Sequence, residues 1–262
     1  VPGYMEHWSA NRSFKDNICR LVLTEGGYLF DMAQEIISSE LRELSVYNTI
    51  LSAIAQGHNK LNDLFLTTGY SRAKISVYMK NLSHFDIVEK IVSFETGGWD
   101  NAKKGIYRIK DTFVNFWFKF VFPYMSDLYR LTPEDFYDKH IEKELDSYMN
   151  RYFCDVCMEY LQLLNKIGRV PFAIHKMGTW IGKTGTIDII AQSSDRQNIV
   201  GLCNWEKPYL TMEMCEKLYE SMEKARVQSN HFYLFSAKAF EPALIEVAKK
   251  DSRFELIDMN EL

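Results

Sequence analysis

Three groups of side chains in this sequence carry the potential for chemistry. The first is Asp188, set into the apolar run Ile187-Asp188-Ile189-Ile190. A carboxylate in a buried strand is costly unless it is hydrogen-bonded, paired or bound to a cation. Backbone donors, Lys176 or Lys183 are the partners considered for it. The second group is basic: Arg72, Lys74 and Lys80 on a segment of helical spacing that starts after Ser71, with Lys103-Lys104 in a loop near Gly97-Gly98. Cations placed this way hold phosphates. The third group is the cysteines. There are five, an odd number, without metal-ligand spacing, which suggests reduced thiols and a cytoplasmic protein. Cys154 and Cys157 form a lone CxxC in a helical pattern, where a structural place is expected over a zinc or redox role. The histidines at 7, 58, 84, 140, 175 and 231 are scattered and form no readable triad.

Gly178-Thr179-Trp180-Ile181-Gly182-Lys183-Thr184 has the outline of a phosphate loop. Its first glycine is one residue too close, and it leads into a strand instead of a helix whose N–H groups would face the phosphate. A hairpin turn at Gly182 to Gly185 is expected there, and no ATP binding by this chain.

The elements that must position these groups follow from periodicity. Val1 to Leu44 reads as helices, with Ile18 to Leu23 and Ala33 to Leu44 the apolar stretches. Val46, Ile50, Leu51, Ile54 and Ala55 lie at helical spacing and Gly57 ends that helix. Leu61 to Thr67 is a second helix, and Ser71 is an N-cap for a third, Arg72 to Leu82, which buries Ile75, Met79 and Leu82. Ile87 to Phe94 and Gly105 to Ile109 read as strands flanking a wing-like loop, Thr96 to Lys104. Thr112 to Phe120 is dense in aromatics, expected as core more than as a base-stacking platform. Pro133 marks a helix start. Beyond it lie a long helix, Ile141 to Lys166, and strands at Gly168 to Met177, Gly185 to Ala191 and Ile199 to Asn204. A helix at Met212 to Ser229, a strand at His231 to Ser236, a helix at Pro242 to Lys250 and a strand at Phe254 to Asp258 complete the chain. The expected class is α+β multidomain: a helical segment (1–44), a winged helix-turn-helix (45–110), an aromatic connector (111–140) and an α/β core with a mixed sheet (141–262).

Composition bounds the rest. The chain has 262 residues, 47% of them hydrophobic, enough for a sizeable core and more than one domain. No run of about 18 apolar residues appears, so neither a membrane span nor a signal peptide is expected. The net charge is −4, but Ser45 to Lys110 holds nine Lys/Arg against five Asp/Glu. That local excess of +4 leaves −8 elsewhere and places any nucleic-acid contact in the middle of the chain. The sequence begins Val-Pro-Gly-Tyr without a Met, which reads as part of a longer protein.

Several motifs carry a family resemblance. Tyr47, Ile50, Leu51, Ile54, Ala55 and Gly57 match a Tyr-x-x-Ile-Leu-x-x-Ile-Ala-x-Gly pattern. Gly178-Thr179-Trp180-Ile181-Gly182, Thr186-Ile187-Asp188-Ile189-Ile190-Ala191 and Gly201-Leu202-Cys203-Asn204-Trp205 follow the frame Gly-x-Trp-Trp-Gly, Glu-Ile-Asp-hydrophobic-hydrophobic-Ala and Gly-Glu-Cys-Lys-Trp. The chain thereby resembles the C-terminal region of archaeal-type P-loop ATPases, which ends in a PD-(D/E)xK (restriction-endonuclease-like) domain; Val1-Pro2-Gly3-Tyr4-Met5 resembles the end of their helical lid. The resemblance implies ATP and Mg²⁺ only in an upstream ATPase domain, a partner of this region, and no cofactor here. It also implies a degenerate nuclease site. Leu202 stands in place of the metal-binding Glu and Asn204 in place of the Lys, while Cys154 replaces a helical Glu and Asp188 survives. Metal-dependent phosphodiester cleavage needs convergent carboxylates and a cation near the nucleophile, so no catalytic residue is expected. Glu206 and Glu159 are the possible substitutes. The expected function is a non-catalytic region binding double-stranded DNA through Ser71, Arg72, Lys74, Lys80, Lys103 and Lys104. The alternatives are a protein-interaction or self-association scaffold and a residual Mg²⁺-dependent nuclease.

Overall fold

The structure, a computed structural model, describes residues 2–41, 43–95 and 105–262. It divides into two compact units: Val1–Ile91 with Ile106–Glu144, and Val92–Gly105 with Leu145–Leu262. The expected wing, with Lys103 and Lys104, lies outside the described residues.

The first unit is mainly helical. It opens with α1 (Pro2–Met5), α2 (Phe14–Ile18) running into a π-turn at Cys19–Leu23, and α3 (Met32–Glu40). The apolar spacing at 18–23 thus produces a widened turn instead of the α-helix expected there. Next come α4 (Leu44–Ala55), α5 (Leu61–Thr68) and α6 (Arg72–His84), then β1 (Val88–Val92) and β2 (Gly105–Ile109), which form a two-stranded sheet. Gly69 turns the chain between α5 and α6 at φ 71°, a left-handed conformation open to glycine at little cost. α7 (Thr112–Phe120) is capped by Asp111, which accepts from Val114 N at 2.9 Å. Its Trp117, Phe118 and Phe120 are fully buried and it packs on α4, so the aromatic stripe is core. Two short helices complete the unit: α8 (Met125–Leu128) and α9 (Pro133–His140), the second with Pro133 in its first turn as expected.

The second unit is layered. α10 (Glu142–Lys166) leads into β3 (Lys176–Ile181), β4 (Thr186–Gln192) and β5 (Asn198–Asn204). Then follow β6 (Tyr209–Leu210), α11 (Met212–Ala225), β7 (His231–Ser236), β8 (Ala239–Phe240), α12 (Pro242–Lys250) and β9 (Phe254–Asp258). The main sheet has the order β3-β4-β5-β7-β9. β3, β4 and β5 pair antiparallel; β5, β7 and β9 pair parallel. The first strand begins at Lys176, not Gly168, because 169–175 runs irregularly after Gly168 ends α10. Gly182 N bonds Gly185 O at 3.1 Å, closing the β3–β4 turn that the phosphate-loop outline conceals.

Strand alternation sorts the core into two faces. Ile189, Ala191, Ile199, Cys203, Tyr233 and Phe235 meet Phe153, Cys157 and Leu161 of α10. On the other face Ile187, Ile190, Val200 and Phe232 meet Leu218, Met222 and Ala225 of α11. Each fully buried Leu, Ile or Phe here contributes roughly 1.5–3 kcal/mol. No helix among the described residues is long and apolar enough to cross a membrane.

Gly201 sits where two strands leave no room. A Cβ built there would meet Ile189 Cβ at 2.9 Å, whereas one at Gly178 would meet only the Phe94 ring at 3.5 Å. Gly201→Ala is expected to destabilise the protein by about 1–3 kcal/mol, and Gly178→Ala to change stability by no more than about 0.5 kcal/mol. Urea denaturation of the two variants checks this; equal midpoints would contradict the packing account.

Candidate functional sites

The basic site is built on α6. Ser71 Oγ accepts from Lys74 N at 3.2 Å and starts the helix. Ile75, Met79 and Leu82 turn inward, which leaves Arg72, Lys74 and Lys80 exposed together with Ala73, Ser76 and Val77. Arg72 stacks 4.0 Å over the Phe65 ring and donates to Asn62 Oδ1 at 2.8 Å. Lys74 lies 4.6 Å from the Tyr70 ring. Aromatic faces orient these cations without neutralising them. Elsewhere in the same unit Lys110, Lys119, Lys139 and Arg108 are each within 2.5–2.8 Å of a carboxylate, on Asp86, Glu144, Asp127 and Glu89. Among the described residues no carboxylate lies within ion-pair distance of Arg72, Lys74 or Lys80. Positive charge on this helix face is therefore uncompensated.

The second site is built on a bulge. Gly178 pairs with Ile190 and Trp180 with Ile187, so β4 advances three residues while β3 advances two. The extra residue breaks strict alternation. Ile187 faces α11, yet Ile189 faces α10. The β4–β5 ladder also ends at Ile189 with Gly201. Beyond that point the Cys203 N–H donates instead to Asp188 Oδ2 at 2.9 Å, and Thr179 Oγ1 donates to the Asp188 carbonyl at 2.8 Å. Of the partners considered for Asp188, the backbone donor is the one present. Lys176 sits over Phe94, 4.0 Å from Glu95.

The bulge brings Asp188 to Cys154 of α10 and Cys203 of β5, with one ligand atom from each within 4.8 Å of the others. Cys203 is buried; Cys154 and Asp188 are half-buried. Burial raises the Asp188 carboxyl to about pKa 6, against the opposing hydrogen bond from the Cys203 amide. Burial, with hydrogen bonds to Cys154 and Cys157, holds the Cys203 thiol well above its usual range. For Cys154 the hydrogen bond with Cys203 pulls the thiol down, but burial and the nearby Asp188 charge outweigh it, so the net shift is upward.

The other expected nuclease positions do not gather here. Leu202 packs against the clusters on the α11 and α12 side. Asn204 is buried and holds the next turn, donating to Lys207 O at 2.9 Å and accepting from Lys207 N at 3.0 Å. Glu206 pairs with Lys207 at 2.7 Å and Glu159 is exposed. Neither joins Asp188 in a cluster of three ligand atoms among the described residues.

Residues 117–218 match a family described as archaeal and bacterial proteins of unknown function. The matched segment contains Cys154, Asp188 and Cys203 and excludes α6. Over 208 residues the chain is 27% identical to an uncharacterized protein of Methanocaldococcus jannaschii, covering 79% of this chain and 46% of that protein. The chain thus spans about half the length of the curated relative it matches. No solved structure gives a significant match.

Two features escaped sequence reasoning. Cys203 looks like one more apolar residue in its strand, and only the sheet brings it to α10. A concavity of about 1070 Å³ in the second unit is lined by Arg196, Arg226 and Arg253 among others. Arg196 and Arg226 adopt left-handed backbone, φ 68° and 56°, which no periodicity signals.

The raised Asp188 pKa has a definite consequence for stability. Below about pH 3 the group is neutral folded and unfolded and costs nothing. As pH rises through about 6 the folded state loses stability, because ionisation there is opposed by burial. The ceiling is about 3 kcal/mol for a shift of roughly two units. Asp188→Asn keeps an oxygen for the Cys203 amide. In chelator it is expected to be more stable than the parent by about 1–3 kcal/mol at pH 8, with the difference fading toward pH 3. Denaturant melts across that range check it; a pH-independent difference would contradict the desolvation account.

Proposed function

We propose that this chain is a non-catalytic region that binds double-stranded DNA through α6, within a longer protein whose upstream part is an archaeal-type ATPase. In this reading α4, α5, α6, β1 and β2 form a winged helix, and the second unit is a nuclease-like core without a working phosphodiesterase site. The observation that carries it is the uncompensated charge of Arg72, Lys74 and Lys80 on one exposed helix face, in a unit where Lys15, Arg108, Lys110, Lys119 and Lys139 are each paired with a carboxylate. A third helix of this kind enters the major groove, where cations meet phosphates and small apolar side chains such as Ala73 and Val77 meet thymine methyls.

The absence of cleavage follows from chemistry. Leu202 offers no oxygen to a hard cation, and Asn204 is committed to the 204–207 turn. Supercoiled plasmid is expected to remain intact after prolonged incubation with Mg²⁺ or Mn²⁺; linear product would restore the nuclease reading.

A protein-docking role for the same helices is the second reading, supported by the exposure of Leu66 (69%) and Val77 (58%). Fluorescence anisotropy of a labelled duplex separates the two. Combined alanine substitution at Arg72, Lys74 and Lys80 is expected to weaken binding and to flatten the slope of log affinity against log salt by about 2–3. Unchanged affinity and slope would remove the DNA reading and leave the docking one.

A further inference from the structure

We propose that Cys154, Asp188 and Cys203 form a binding site for a thiophilic divalent cation, Zn²⁺ in particular, with a fourth coordination position open to solvent. Three elements distant in sequence, α10, β4 and β5, converge there, and each contributes one ligand atom. Tetrahedral zinc with Zn–S bonds of about 2.3 Å places its ligand atoms about 3.5–3.8 Å apart. The observed atoms lie within 4.8 Å of one another, so closure around an ion takes a movement of about 1 Å or less. Side-chain rotation within the packed site supplies it.

The donor set selects the ion. Two thiols with one carboxylate suit zinc and disfavour Mg²⁺ or Ca²⁺, which take oxygen ligands. The site is also oriented from behind. The Cys203 amide holds Asp188 Oδ2 at 2.9 Å, and Cys203 is itself packed with the buried Cys157 and Phe153 of α10 in one core cluster. Outer contacts of this kind fix ligand direction. Cys154 and Asp188 are half-buried, which gives the ion a way in and leaves room for a solvent ligand. Among the described residues this is the one cluster of three such ligands. It is independent of the basic face of α6 and stands whether or not that face binds DNA.

Cobalt(II) is the probe. The 262-residue chain, reduced and stripped with chelator, is titrated with Co²⁺ and the thiolate-to-cobalt charge-transfer and d–d bands are read. The expected result is a single equivalent bound, with bands of four-coordinate cobalt that Zn²⁺ abolishes. Cys154→Ser, Cys203→Ser and Asp188→Asn are each expected to weaken binding by more than about tenfold, the lower range for losing even an outer partner. Cys215→Ser, in a different cluster, is expected to leave it unchanged. Should a cysteine variant fail to fold, alkylation of the native chain followed by mass spectrometry replaces it: Zn²⁺ is expected to slow modification of Cys154 at least about tenfold. The proposal is overturned if the parent gives no charge-transfer band, if the bands persist in both cysteine variants, or if Zn²⁺ leaves Cys154 alkylation unchanged. It is likewise overturned if the reduced chain binds no metal and air oxidation instead links Cys154 to Cys203.

Discussion

The hydrogen bond from the Cys203 amide to the Asp188 carboxylate is the interaction on which the α/β unit turns. It forms because β4 carries one residue more than β3 between two ladder pairs, so the β4–β5 ladder stops at Ile189. A side chain then replaces a main-chain acceptor at the point where the strands part. The exchange satisfies the Cys203 donor, which burial would otherwise penalise. It also holds an acidic group half-buried against the core, where partial desolvation opposes ionisation. Removing the bulge would restore alternation and carry Asp188 away from Cys154 and Cys203.

The same bulge separates groups that the linear motif lists together. Leu202 and Asn204 are two apart on β5 and alternate with Cys203, so they belong to the face away from α10. Their chemistry is spent on packing and on the 204–207 turn. Cys203, chemically silent in the motif, is the residue that meets Asp188. The family match covers this part of the chain and stops short of α6.

The helical unit manages its polar groups differently. The aromatic helix α7 gives up its rings to the core and keeps Lys119 at its margin, paired with Glu144 at 2.6 Å. Arg108, Lys110 and Lys139 are held in the same manner. Such exposed pairs add little stability, but they cancel local charge. The face of α6 is not cancelled in this way: aromatic neighbours hold Arg72 and Lys74 without neutralising them.

Much of the local structure was legible from residue order alone. The period of apolar residues located α4 and α6, and the strands β2, β4, β5 and β7, because burial of one face is a local pattern repeated every few residues. Ser71 announced a helix start through a side chain that caps the first turn, and Pro133 announced another. The cost of burying Asp188 was also visible at once, since a carboxylate among isoleucines needs a partner wherever it lies. The π-turn at Cys19–Leu23, the irregular stretch before β3 and the left-handed Arg226 that ends α11 were not legible. Tertiary packing decides these by overriding weak local preferences. The company Asp188 keeps was likewise undetermined. A one-residue slip between β3 and β4 sends a side chain to one face or the other, and the slip depends on strands meeting across the sheet. The residue order therefore determined which groups need partners, while the pairing of distant strands decided which partners they have.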